Sequence, residues 1–332
     1  MVAEVTSLVA KGGDVVTNQT SRGPHFSTRT GEPIVNVTLP VFDDYLLERF
    51  DAYVTSYQSV FTRSDQLQRF RAYLRGLLST GERKNVEAIA AIADLSAAAD
   101  TDLAQALQHF VSQSPWDVTR LLAFHRRSLA RQLADPGAVW VVHDGVFPKK
   151  GRHSVGVQRQ FARSVGRKLN CQIGVVVSQV GPAGYFPLAA RLYLPSHWLR
   201  ENPEAAEKNV PEPFRRHISK AEIALGLLDA LRSEEGRPRA VVAEDGYASL
   251  SAFGEGLATR GIAAVSPDSP HAAAALSRTL TGFEWLKDAL GLDHFEGRTW
   301  HGWHHHVGLV FAAYGFLASE NLGLDSPPFA GR

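Results

Sequence analysis

Ala138-Val139-Trp140-Val141-Val142-His143-Asp144-Gly145 is the stretch whose reading decides the fold. A short apolar run rich in β-branched residues and closed by a turn signal reads as a buried strand. Working outward, a basic turn follows, Phe147-Pro148-Lys149-Lys150-Gly151. Then come His153-Ser154-Val155-Gly156-Val157-Gln158-Arg159-Gln160 and a second strand signal, Cys171-Gln172-Ile173-Gly174-Val175-Val176-Val177. A carboxylate at the end of the first strand of a sheet is a usual place to hold a metal or run acid/base chemistry. Asp144 is therefore the first candidate residue; the plainer alternative is that it caps a turn.

These segments, with Asn170-Cys171-Gln172, resemble the DDE-type transposases of bacterial insertion sequences, in the branch numbered seven hundred and one. Glu82-Arg83-Lys84-Asn85-Val86-Glu87 and the stretch from Gln108 to Asp117 share the resemblance, as do Lys220 and Glu222. So do Leu290-Gly291-Leu292-Asp293 and Gly302-Trp303-His304-His305-His306-Val307, and the likeness covers about 42–320. The resemblance implies an RNase H-like fold and DNA as substrate. It also implies two divalent metals, Mg or Mn, held by Asp, Asp and Glu, with Asp144 at the position of the first Asp.

Length and composition bound the rest. With 332 residues, 44% hydrophobic and 21% charged, the chain suits an ordinary globular protein with a helical appendage. No apolar run approaches a membrane span, and the start lacks the charged-then-apolar pattern of a signal peptide. A single cysteine, Cys171, excludes an internal disulfide. A cytoplasmic protein is expected. The formal charge of +1 argues against a broad nucleic-acid face. Locally, however, Lys149, Lys150, Arg152, Arg159, Arg163, Arg167 and Lys168 stand without an acid among them, so an anion or a DNA backbone could contact this segment.

In chain order, residues 1–37 lack periodicity and read as a loose arm. Residues 38–135 read as a helical domain, with helices over 42–54, after Ser64, and near 83–95, 101–112 and 117–133. Arg120, Arg126, Arg127 and Arg131 give the last of these a basic side, read as solvated. Residues 136–325 read as the RNase H-like domain. There a third strand spans 185–195, a surface loop 200–216, and a helix capped by Ser219 runs from Lys220 to about 233. A fourth strand follows at 240–243, a helix over 249–260 and a short strand at 262–265. The overall class is α/β, a mixed sheet flanked by helices and preceded by an all-helical region.

The remaining acids follow from the resemblance. The second family Asp precedes Gly-Tyr by two positions, which falls on Glu244, with Asp245 beside it and Tyr247 next in reach. The third acid lies on a closing helix in the pattern Arg, three residues, Glu, six residues, Lys. Counted back from Leu290-Gly291-Leu292-Asp293, these positions are Leu276, Leu280 and Lys287. Leucine cannot bind a hard cation, and Glu284, one turn further, is the substitute within reach. The insertion that such transposases carry before this helix is also absent. We therefore expect a repurposed transposase relative acting on a small molecule without a cofactor, with Asp144, Glu244, Asp245, Tyr247 and Glu284 as candidates. Leu276 and Leu280 would wall that site. The alternatives are a DDE transposase using Mg or Mn on DNA, or a catalytically dead DNA-binding regulator contacting DNA through Lys149, Lys150, Arg152 and Arg159. His304, His305 and His306, consecutive on a helix, point three ways and cannot share one metal.

Overall fold

The computed structural model describes residues 39–92, 102–235, 238–266 and 268–321. The expected N-terminal arm lies outside them.

β1 (Val139–Pro148) is buried over nearly its whole length. It pairs antiparallel with β3 (Arg167–Gly181) from Val139↔Val180 to Pro148↔Cys171, and parallel with β5 (Val241–Ala243). β2 (Gln158–Ala162) and β4 (Gly184–Leu192) both pair antiparallel with β3, one beside each half of that long strand. A strand buried on both faces needs a helical layer on each side. Because side chains alternate, Val139, Val141 and Phe147 join one core and Trp140 and Val142 the other.

The first layer is built by α12 (Pro270–Leu290) and α13 (Trp300–Asn321). Ser269 caps α12 by accepting from the Ala272 N–H at 3.1 Å, and Gly291 ends it in the left-handed conformation with φ 66°. Leu309, Val310, Phe311, Ala312 and Ala313 are all fully buried, as in a helix wrapped on every side. β4 and α12 cover part of α13, and the rest is covered from the N-terminal helical region. That region comprises α1 (Asp44–Ser56), α2 (Ser64–Leu77), α3 (Val86–Ile92), α4 (Leu103–Ser112), α5 (Val118–Ser128) and α6 (Ala130–Leu133), with α1, α2, α4 and α5 in contact with α13. The two regions share one hydrophobic core, from Phe50 and Phe70 to Val141 and Phe283. The second layer comprises α9 (Lys220–Glu235), α10 (Asp245–Ala248) and α11 (Ser251–Thr259).

Several expectations are corrected. β1 does not end at Asp144; it continues to Pro148, because β3 is long enough to pair with every residue of it. β2 lies inside the stretch read as a charge run, since Arg159 and Phe161 occupy the exposed face of an edge strand. The 200–216 loop is instead α7 (Ser196–Glu201), α8 (Pro203–Asn209) and a 3-10 turn. Pro203 takes the first helical position, where its missing N–H costs nothing, while Trp198 and Ala206 are buried. The strand expected at 262–265 is reduced to one bridge, Val241↔Ala264. Ser64 is the first helical residue of α2 and does not cap it. Arg126 is not solvated: it is buried and donates to the Leu188 carbonyl at 2.9 Å.

Candidate active site

The alternation along β1 decides where the candidate acid points. His143 and Gly145 face α12. The His143 ring meets Phe283 edge-on at 5.0 Å, and a Cβ on Gly145 would come within 2.5 Å of the Phe283 ring. Asp144 therefore faces the opposite layer, where α9 and α10 begin.

There its carboxylate is enclosed, with a side chain only 1% exposed. The Tyr247 hydroxyl donates to Oδ1 at 2.6 Å, and the Lys220 ammonium donates to Oδ2 in a short contact. Glu244 accepts the Asp144 backbone N–H at 3.0 Å through Oε2. The local sequence explains each placement. Ser219 and Glu222 form a reciprocal cap, the Ser219 N–H donating to Glu222 at 2.9 Å and the Glu222 N–H to Ser219 at 3.2 Å. That cap starts α9 where Lys220 is brought over β1. β5 ends at Ala243, and the turn into α10 puts Glu244 beside β1 and buries Tyr247.

The electrostatics follow from burial beside one negative charge. Burial raises the Glu244 carboxyl above its ordinary value; the Asp144 N–H works against that shift and the Asp144 charge adds to it. Burial also holds the Tyr247 phenol well above its ordinary value, and the neighbouring Asp144 charge pushes the same way. Tyr193 is raised for the same two reasons. Cys171, fully buried, is pushed up to about 11 by burial, which suits a packed thiol better than a nucleophile.

Of the residues expected from sequence, Asp144, Glu244 and Tyr247 come together. Asp245 is exposed in the first turn of α10. Glu284 is not brought to Asp144: it is exposed on α12, which packs on the other side of β1, and it pairs with Lys287 at 2.6 Å. Leu276 and Leu280 lie on the same helix and do not wall the Asp144 cluster. Lys220 was missed as a site residue, although it lies in a segment of resemblance that carried the signal. Lys149 is half-buried and its ammonium donates to the Phe295 carbonyl at 2.6 Å, so it braces the fold; Lys150, Arg152 and Arg159 are exposed. Each histidine of the triplet serves a different neighbour: His304 the Trp300 carbonyl, His305 those of Val111 and Trp116, His306 the Tyr73 hydroxyl and the Gly291 carbonyl.

These residues do not fit a pair of divalent ions. Two-metal chemistry needs several carboxylates converging on cations about 3.5–4 Å apart. Here one Asp144 oxygen holds an ammonium and the other a phenol. Glu244 is engaged with backbone, and the helix due to carry the third acid presents Phe283 to the other face of β1. Among the described residues, no three His, Cys, Asp or Glu side chains gather at one point. What the arrangement can do is orient the Lys220 ammonium and the Tyr247 hydroxyl on Asp144, with the half-buried Glu244 carboxyl beside them as an acid/base group.

Comparison with known proteins bears on ancestry. The family model described as DDE superfamily endonuclease matches residues 56–274. A protein of Microchaete diplosiphon described as "Probable transposase for insertion sequence element IS701" is 28% identical over 197 residues, 59% of this chain and 47% of that protein. The chain thus spans about half the length of this curated relative. No solved structure matches. The family match includes Asp144, Lys220, Glu244 and Tyr247 and stops in the first turns of α12, before positions 276, 280 and 284.

Proposed function

This chain belongs to the DDE superfamily of endonucleases and has an RNase H-like fold; from that premise we propose that it has given up two-metal DNA cleavage. In its place the old cleft carries out metal-independent acid/base chemistry on a small molecule. The observation that carries this reading is the saturation of Asp144 by Lys220 and Tyr247. A carboxylate that must bind a cation is poorly served by a resident ammonium. One that must orient proton-carrying groups is well served by it. In this reading Asp144 is a positioning residue. Lys220, whose side chain is 28% exposed, and half-buried Glu244 meet the substrate. Glu244, with its raised pKa, exchanges the proton nearer neutral pH than an ordinary carboxylate would.

The test has two arms. Metabolite extracts treated with the protein in EDTA are profiled by mass spectrometry. A mass change made by the wild type and lost in Asp144→Asn and Glu244→Gln is expected. Manganese-dependent nicking of DNA that disappears in Asp144→Asn would overturn the reading.

One observation favours a second reading, in which DNA remains a partner. Arg152, Arg159, Arg163, Arg167 and Lys168 are all exposed on or beside the β2–β3 hairpin, with Phe161 52% exposed among them. Exposed cations around an aromatic suit a nucleic-acid backbone with an unstacked base. Retention by the wild type on DNA at physiological salt supports it.

A further inference from the structure

A cavity of about 610 Å³ opens at the outer edge of the sheet, where β4 meets α9, α5 and α13. Its size falls in the usual range for small-molecule sites, roughly 300–1,000 Å³. α9 links it to the Asp144 cluster without joining the two. Lys220 is at the N-terminus, and Leu227, Ala230 and Leu231 enter the cavity wall about 10–16 Å further along the helix.

The walls are aliphatic and aromatic. Phe214 and Trp300 stack at 5.1 Å with 19° between their planes, and Trp116 stacks on His305 at 3.7 Å. Into this apolar space comes Arg191, half-buried on β4. Its guanidinium lies over the Phe214 ring, 4.5 Å from the centroid. Its Nε is buried without a hydrogen-bond partner, and among the described residues no carboxylate pairs with it. Burial lowers the Arg191 pKa, and Arg216 adds to the effect. Asp117 is the one acid among the described lining residues, and it is exposed, with Oδ1 accepting the Thr119 N–H at 2.8 Å.

A partly buried guanidinium without an anion is costly to keep in a folded protein. A planar fork of donors beside flat rings also matches a planar oxyanion carried on an aromatic body. We propose that this cavity binds an aromatic small-molecule carboxylate, its anion on Arg191 and its ring against Phe214, Trp300 and Trp116. The assignment stands independently of the reading of the Asp144 cluster.

Isothermal titration with 2-naphthoate, and with 2-naphthamide as the neutral isostere, tests it. Saturable one-to-one binding of the acid is expected, with the amide weaker by roughly tenfold or more, the loss of one charge-assisted bidentate contact. Arg191→Met brings the acid down to the amide's affinity, whereas Arg191→Lys keeps part of the difference. Ala230→Trp, made at an exposed position of α9, fills the cavity and abolishes both without lowering the melting temperature. The proposal is overturned by absence of saturable binding, by equal affinity for acid and amide, or by binding that survives Ala230→Trp. Displacement of naphthoate by a short single-stranded oligonucleotide would replace the small molecule with a nucleotide as the occupant.

Discussion

The Tyr247 hydroxyl lies 2.6 Å from Oδ1 of Asp144, in a pocket where the phenol is 1% and the aspartate 2% exposed. With Lys220 on the second oxygen, a buried carboxylate is satisfied entirely by protons from other side chains. Removing one partner of a buried charge costs more than the pair contributes, because the remaining charge stays buried. Lys220→Met should therefore destabilise by about 3 kcal/mol, and Tyr247→Phe by about 1–2 kcal/mol. Asp144→Asn added to Lys220→Met should recover much of the loss. Urea denaturation of Lys220→Met, Tyr247→Phe, Asp144→Asn and the double variant checks this; additive losses in the double variant would contradict it.

Burial holds five histidines low: His125 and His304 at about 3, and His143, His305 and His306 at about 4. In the unfolded chain each titrates near ~6.5. A folded value below the unfolded one means that the unfolded state binds more protons as pH falls. Stability is therefore full above about pH 6.5 and is lost as pH falls toward the folded values, by up to about 1.4 kcal/mol per pH unit for each histidine. Urea midpoints between pH 7.5 and 5 should drop steeply, and a flat profile would refute the assignment.

His143 isolates one of these contributions. Both ring nitrogens are buried, and among the described residues neither has a side-chain hydrogen-bond partner. The Asp144 backbone approaches the ring without meeting strict hydrogen-bond geometry, Phe283 faces it, and Lys287 and Asp144 supply the nearby charges. An unpaired buried polar ring is replaced by an apolar one at little cost. His143→Leu should leave stability at pH 7.5 within about 1 kcal/mol and make the acid loss shallower. A large loss at pH 7.5 would mean that the ring has a partner.

Gly145 should tolerate no side chain while Phe283 remains. A Cβ there would lie 2.5 Å from Phe283 and 3.2 Å from Val176. Gly145→Ala should cost about 1–3 kcal/mol by overpacking, and Phe283→Leu in the same chain should relieve part of it. Thermal melts of the single and double variants decide the matter.

The basic segment divides into two roles. Lys149→Met should lower stability without altering retention on heparin, because its ammonium is tied to the Phe295 carbonyl. Arg159→Glu with Arg167→Glu, both exposed, should do the reverse. Each lost phosphate contact should flatten the salt dependence of DNA binding by about 0.9 in the log–log slope.

Much of the site was legible in the amino-acid sequence. Asp144, Glu244 and Tyr247 stood at positions that the resemblance assigned before their contacts were known. Lys220 stood in a segment that shared the resemblance, but its contact with Asp144, 76 positions away, is made by packing and is not written along the chain. Glu284 fell within one turn of the right position, yet linear spacing does not tell which face of the sheet a helix covers.

The sequence by itself determined what is local or periodic: the strand signals of β1, β3, β4 and β5, the helical periodicity of the N-terminal region, the Ser219 cap that starts α9, and the DDE ancestry. Only the tertiary structure decided which layer Asp144 faces, that Lys220 and Tyr247 saturate it, and that Arg191 lies unpaired in an aromatic cavity. The physical reason is that an apolar pattern states which side of an element leaves water. What covers that side is chosen by packing among elements far apart along the chain.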